Sequence, residues 1–178
     1  MKEYYLLELS KDVVNPIKLV MVEPEKYTPE MTHQHFKELD EVCVAYAQYE
    51  NTQEIPDILA HPTYMISDDM QKVFRMYDEN ISFKAVQVFP DRMENIEQAT
   101  KLYWVYDCVS EDCMHSDTVK YPNGELKELI LDRRKVRGRD IFRVRGMMEN
   151  KVVVSLAVAE SILRRKPYGV CLKKVSVR

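Results

Sequence analysis

The sequence predicts an α+β protein: a mixed sheet in which two strand–Ser–helix–strand units flank a central antiparallel β-meander. Three observations carry this. A short apolar run, a serine, an amphipathic stretch and a strand follow one another in residues 63–89 and again in residues 152–177. Between the two lie apolar or alternating runs punctuated by glycine turns, the pattern of antiparallel strands. The 178 residues are 46% hydrophobic, enough for a sizeable core, and no Gly/Ser linker or low-complexity tract divides them. A single domain over residues 1–178 is expected.

Along the chain, Tyr4 to Leu9 is apolar and aromatic and reads as a first strand, and Ile17 to Val22 as a second. Thr28-Pro29 has the form of a helix N-cap followed by proline at the first helical position. It predicts a short helix through Leu39, with Met31, His35, Leu39 and Val42 roughly on one face. Val42 to Tyr49 is strand-like. Residues 50–60 are polar, contain Pro56 and read as a loop.

The first unit opens with Thr63-Tyr64-Met65-Ile66. Ser67 follows as a helix cap, its hydroxyl accepting from free backbone N–H groups. Asp68 and Asp69 suit the positive end of the helix dipole. Met70, Val73, Phe74 and Tyr77 share one helical face, and Ile81 to Phe89 is a strand closed by Pro90. In the second unit Val152-Val153-Val154 precedes the cap Ser155. Val158, Ala159, Ile162 and Leu163 form the apolar stripe, and Arg164, Arg165 and Lys166 suit the negative helix end. Val170 to Val177 is its strand. Lys84, Val86 and Val88 align with Lys173, Val175 and Val177. Each unit would make its two strands parallel if they share a sheet.

Between the units, Leu102 to Tyr106 is apolar on both faces, as a central strand requires. Residues 118–121 and 125–131 flank Pro122-Asn123-Gly124, a hairpin signal. Residues 140–145 alternate, with Phe142 and Val144 inward and Arg143 and Arg145 outward.

Several function classes find no support. No stretch approaches the roughly 20 apolar residues that span a bilayer, and the acidic N-terminus does not resemble a signal peptide. Four cysteines at 43, 108, 113 and 171 form no tight framework, so reduced thiols and a cytoplasmic location are expected. The four glycines are not paired in a phosphate-cradling spacing. Cys108, Cys113 and His115 stand close together, but a structural zinc site takes four ligands and no fourth is evident. His33 and His35, two apart, would not face one direction on a helix. Ser67 and Ser155 are explained by capping, and neither sits in a glycine-flanked elbow. No catalytic, metal or cofactor residues are assigned.

Charge is the more informative signal. The net charge is −3, yet residues 23–57 hold nine acids against two bases, and residues 132–145 hold seven bases against two acids. The acidic stretch is either a solvated surface or a docking face for a basic partner, with Glu38, Asp40, Glu41, Glu50, Glu54 and Asp57 as its contact candidates. The basic stretch, with Arg134, Arg137 and Arg139, is either a solvated hairpin that blunts a sheet edge or a phosphate-binding element. The second possibility makes a nucleic-acid-associated regulator the alternative function.

A series of motifs then carries a resemblance: Ile55-Pro56-Asp57-Ile58-Leu59, Met65-Ile66-Ser67-Asp68-Asp69-Met70, Leu129-Ile130-Leu131-Asp132, Ile141-Phe142-Arg143-Val144, Val153-Val154-Ser155 and Tyr168-Gly169-Val170. In this order they resemble a family of bacterial immunity proteins of polymorphic toxin systems. The resemblance covers residues 55–177, so that residues 56–178 form the family-like core and residues 1–55 a variable part. It implies a cytoplasmic protein that binds a cognate toxin domain, a nuclease in many such systems, and blocks it without catalysis or cofactor. It supplies no contact residues. The basic segment 133–139 departs from the more neutral one such a family would show.

Overall fold

The computed structural model describes residues 2–14, 17–48, 54–91, 100–147 and 150–178. The protein is α+β: strands in mixed sheets, with three α-helices among the described residues.

The strands are β1 (Tyr4–Leu9), β2 (Leu19–Met21), β3 (Val42–Ala47), β4 (Ile58–Leu59), β5 (Met65–Ser67), β6 (Ser82–Pro90) and β7 (Lys101–Asp107), then β8 (Ser110–Glu111), β9 (Val119–Lys120), β10 (Leu126–Glu128), β11 (Ile130–Leu131), β12 (Ile141–Val144), β13 (Val152–Ser155) and β14 (Val170–Val177). The helices are α1 (His33–Glu38), α2 (Asp68–Tyr77) and α3 (Leu156–Leu163). One sheet runs β2-β3-β6-β7-β5-β4 and the other β11-β14-β1-β13-β12-β8, while β9 and β10 pair apart.

Five strands of each sheet correspond in order and direction. In the first sheet β3 is parallel to β6, and β6, β7, β5 and β4 alternate antiparallel. In the second, β11 is parallel to β14, and β14, β1, β13 and β12 alternate in the same way. In each, a helix connects two strands of like direction, and a third strand lies between them. That third strand is β7 in the first sheet, directly after β6, but β1 in the second, at the far end of the chain. The two halves are thus related by a circular permutation.

Helices α2 and α3 lie where the two sheets face one another. Met70, Val73 and Phe74 of α2 and Val158, Ala159 and Ile162 of α3 pack with Ile58, Ile66 and Tyr106 of one sheet and Leu7, Val152 and Val154 of the other. Phe74 meets Tyr106 edge-on at 5.3 Å between centroids. Burying each such large side chain is worth about 1.5–3 kcal/mol. The outer face of the first sheet, with Met65, Val86, Val88 and Val105, is covered by residues of the 17–39 segment such as Met31, Phe36 and Leu39. The outer face of the second, with Leu6, Phe142 and Val153, is covered by Cys113, Leu129 and Val136.

The structure differs from the sequence expectations at several places. There is no single sheet with a central meander: β7 belongs to the first sheet, β9–β10 stand apart, and β11 and β12 join the second. The N-cap of α1 is Thr32, which accepts from His35 N, while the Thr28 hydroxyl donates to Glu30 O. Met31 lies ahead of the helix, buried in the core, and the helix ends at Glu38 with Leu39 extended, so Val42 lies beyond it, exposed on β3. Ile58–Leu59, within the expected loop, pairs with β5 because both its side chains find core. Residues 133–139 do not form a hairpin between paired strands. They run through turns from β11 to β12, which lie apart in the second sheet with β14, β1 and β13 between them, and bury Val136. Arg143 does not point into solvent; it is half-buried.

Candidate docking surface

The first sheet is covered on its outer face by the 17–39 segment and on its inner face by α2. Beyond α2, on β2, β3 and the end of β6, no element among the described residues covers the inner face. Met21, Cys43, Ala45, Ala47, Val86 and Val88 point to the core. By alternation their neighbours Val20, Val22, Val42, Val44, Tyr46 and Phe89 point the other way. Val20, Val22 and Val42 are 66%, 61% and 63% exposed. The strip is continuous: Val20 stands opposite Tyr46 and Tyr46 opposite Phe89, with the two rings 6.1 Å apart. β2 is an edge strand, so its outer backbone groups are also open to pairing.

Carboxylates gather at one end of this strip. Glu23 follows Val22, and Asp40 and Glu41 precede Val42. Lys26 Nζ lies 2.5 Å from Glu23 and 3.8 Å from Asp40, so it holds the two strand ends together. The side chains of Asp40 and Glu41 remain 73% and 85% exposed. Glu38 closes α1 and faces solvent, in contact with Gln34. Buried Lys84 fixes this corner. Its ammonium donates to the carbonyls of Leu39 and Lys37 at the end of α1 and stands 3.6 Å from Glu41. It also lies over the Phe36 ring.

The acidic stretch does not make one face. Glu54 and Asp57 lead into β4, at the opposite edge of the first sheet from β2. Glu54 is exposed. Asp57 has a structural role: Oδ1 accepts from the Ser67 hydroxyl at 2.5 Å and Oδ2 from Tyr168 N at 2.8 Å. Glu50 lies outside the described residues. Arg134, Arg137 and Arg139 are exposed on the turns between β11 and β12, in the other half of the molecule. Arg139 pairs with Glu111 at 2.7 Å and Lys135 with Asp112 at 3.3 Å.

The two serines also depart from simple capping. Ser67 accepts from Met70 N only at 3.5 Å, and Ser155 makes no side-chain cap. The hydroxyls instead donate to Asp57 and to Asp140, the latter at 2.6 Å. Asp57-Ile58 and Asp140-Ile141 are the sequence trace of this repeated pair, each just ahead of the strand that pairs with the serine's strand.

Cys108 lies in the core between the sheets and Cys113 in the outer core of the second, so the close spacing of the two in sequence does not bring them together. Burial pushes both thiols up to about 11, which keeps them protonated. His115 Nδ1 accepts from Asp117 N. Among the described residues no group of three His, Cys, Asp or Glu side chains could hold a metal ion. No described helix is long and apolar enough to cross a membrane. The apolar strip itself went unpredicted. Its signal is Val-Cys-Val-Ala-Tyr-Ala in β3, apolar on both faces although the described residues cover only one.

No protein-family model and no curated protein matches the chain.

Proposed function

We propose that the chain is a toxin-neutralising immunity protein that acts in the cytoplasm, binding a cognate bacterial toxin domain and blocking it without catalysis or cofactor. The observation that carries this reading is the apolar strip on β2, β3 and β6, exposed among the described residues, with Glu23, Asp40 and Glu41 at its end. An apolar centre excludes water in a complex, and a charged rim sets on-rate and partner choice. A carboxylate rim fits a basic partner such as the substrate channel of a nuclease-type toxin. Its β2 and β3 residues also lie in residues 1–55, outside the motif series, where a partner-specific surface belongs. The alternative, nucleic-acid binding through residues 133–145, draws less support. Lys135 and Arg139 are ion-paired within the protein and Arg143 is turned inward.

The reading requires a toxin gene beside this one, and co-expression with its toxin domain tests it. Rescue of growth, and a stable complex lost in the Tyr46→Asp variant, are expected. Absence of both binding and rescue overturns it. A gel shift at two salt concentrations tests the alternative, which requires binding at low salt that weakens steeply as salt rises.

A further inference from the structure

The two halves meet along a seam whose two ends are built from corresponding residues, and the ends differ. At one end Pro56, just before Asp57, packs on Gly169, where an added Cβ would come within 2.5 Å of the Pro56 Cβ. Asp57 and Tyr168 add a reciprocal pair of hydrogen bonds, and the seam is closed. The corresponding residues at the other end are Arg139, just before Asp140, and Asn80, in the turn that enters β6. Here the seam opens into a cleft of about 610 Å³, and Asn80 and Arg139 both line it. That volume lies in the range of small-molecule sites.

Arg143 of β12 enters this cleft. Its guanidinium crosses the seam and donates to the carbonyls of Met31 and, at 3.4 Å, Tyr106. Its Nε is buried without a partner, and among the described residues it forms no ion pair with a carboxylate. A half-buried cation that, among the described residues, is held only by neutral carbonyls is costly in a site sheltered from water. Asn150, only 5% exposed, lines the same cleft, and its Oδ1 is buried without a partner. Two carboxylates in the wall, Asp107 and Asp78, are engaged by other residues of the wall. Asp107 pairs with His33 Nδ1 at 2.5 Å, and Asp78 accepts from the backbone and side chain of Asn80. Glu30 also lines the cleft, and Arg145 adds a further guanidinium beside Arg143.

We propose that this cleft binds a small-molecule oxyanion, a phosphate or carboxylate group seated against Arg143, with Asn150 meeting a polar group of the same ligand. A guanidinium fork matches the geometry of both oxyanions. The proposal is independent of the toxin-binding reading, since the cleft and the apolar strip share no residue.

The test is thermal unfolding of the full chain in sodium phosphate, adenosine monophosphate and citrate, each against sodium chloride at equal ionic strength. At tenfold over its Kd a ligand of this class should raise Tm by about 3–5 °C. The arms separate phosphate from carboxylate recognition. Two variants locate the effect: Arg143→Met removes the cation, and Ser82→Trp fills the lip of the cleft at an exposed position while leaving Arg143 intact. Both should abolish the shift. No shift beyond chloride for any of the three anions overturns the proposal. So does an undiminished shift in folded Ser82→Trp, which stands as the decisive variant if Arg143→Met does not fold.

Discussion

The Ser155 hydroxyl donates to Asp140 Oδ1 at 2.6 Å while the Ser155 N–H donates to the Asp140 carbonyl at 2.8 Å. Ser67 and Asp57 repeat both bonds in the other half, at 2.5 and 2.8 Å. Each aspartate stands ahead of one strand of a hairpin and each serine at the end of its partner strand, where the helix begins. The pair therefore locks strand register and helix start together, and places a carboxylate near the positive end of the helix.

The aspartates carry unequal loads, which can be measured. Asp140→Ala leaves the Ser155 hydroxyl without its acceptor and should destabilise by about 1–3 kcal/mol. Asp57→Ala also orphans the Tyr168 N–H at the closed end of the seam, and should cost about 2–4 kcal/mol. Urea unfolding with unchanged m-values would report both. Asp140 also pairs with the partly exposed Lys2 ammonium at 2.9 Å, so Lys2→Met is the control, and equal losses in that background would show that the Tyr168 bond contributes nothing.

Gly169 and Gly138 provide a matched comparison. Both have positive φ, +73° and +81°. Replacing either with alanine costs about 1–2 kcal/mol for the left-handed backbone. At Gly138 nothing lies within 4 Å of the new Cβ, whereas at Gly169 it meets Pro56 and Val13 at 2.5 and 2.9 Å. Gly169→Ala should therefore lower the unfolding midpoint distinctly more than Gly138→Ala, the excess measuring how rigidly the seam is closed.

The sequence made local features legible where a single element determines them. Ser67, the acidic first turn and the Met70, Val73, Phe74 face of α2 are all present, because period and capping act within a few residues. It did not reveal the permutation. β1 completes a half whose other strands lie at the opposite end of the chain, so no repeated string records it. The docking strip was hidden for a similar reason. Nothing within Val42–Ala47 says which of its two apolar faces another element covers. Arg143 alternates as a solvent-facing residue would, yet Met31 and Tyr106, far away in sequence, take its donors.

Thiol chemistry reports on the packing directly. Cys43, Cys108 and Cys113 are buried and Cys171 is exposed, with no disulfide among them. One thiol should react rapidly with an aromatic disulfide reagent in the native protein, and four after denaturation. Because burial raises Cys108 and Cys113 to about 11 from an ordinary 9, the unfolded chain loses these protons first as pH climbs. Their contribution is complete below about pH 9 and fades as pH rises through about 11, so stability should fall along the alkaline limb. Replacing Cys108 with alanine should flatten that limb; an unchanged limb would assign it to other groups.

The docking surface makes a prediction in which kinetics and affinity separate. Asp40 and Glu41 are exposed rim charges at the end of the strip, so Asp40→Lys with Glu41→Lys should act mainly on association. The on-rate for a basic toxin domain should drop by about tenfold or more at low salt, and the deficit should shrink near physiological ionic strength, where the Debye length is about 8 Å. Tyr46 lies in the middle of the strip, between Val20 and Phe89. Tyr46→Ala removes apolar contact and should raise the off-rate, costing about 1–2 kcal/mol or more at all salt concentrations. Stability should barely change in Tyr46→Ala, because this side chain faces away from the core; the rim variant replaces the carboxylates beside Lys26 and buried Lys84 with cations and should lose some stability, read separately by urea unfolding. If the rim variant instead alters the off-rate alone, the carboxylates make desolvated contacts and belong to the centre of the interface, not its edge.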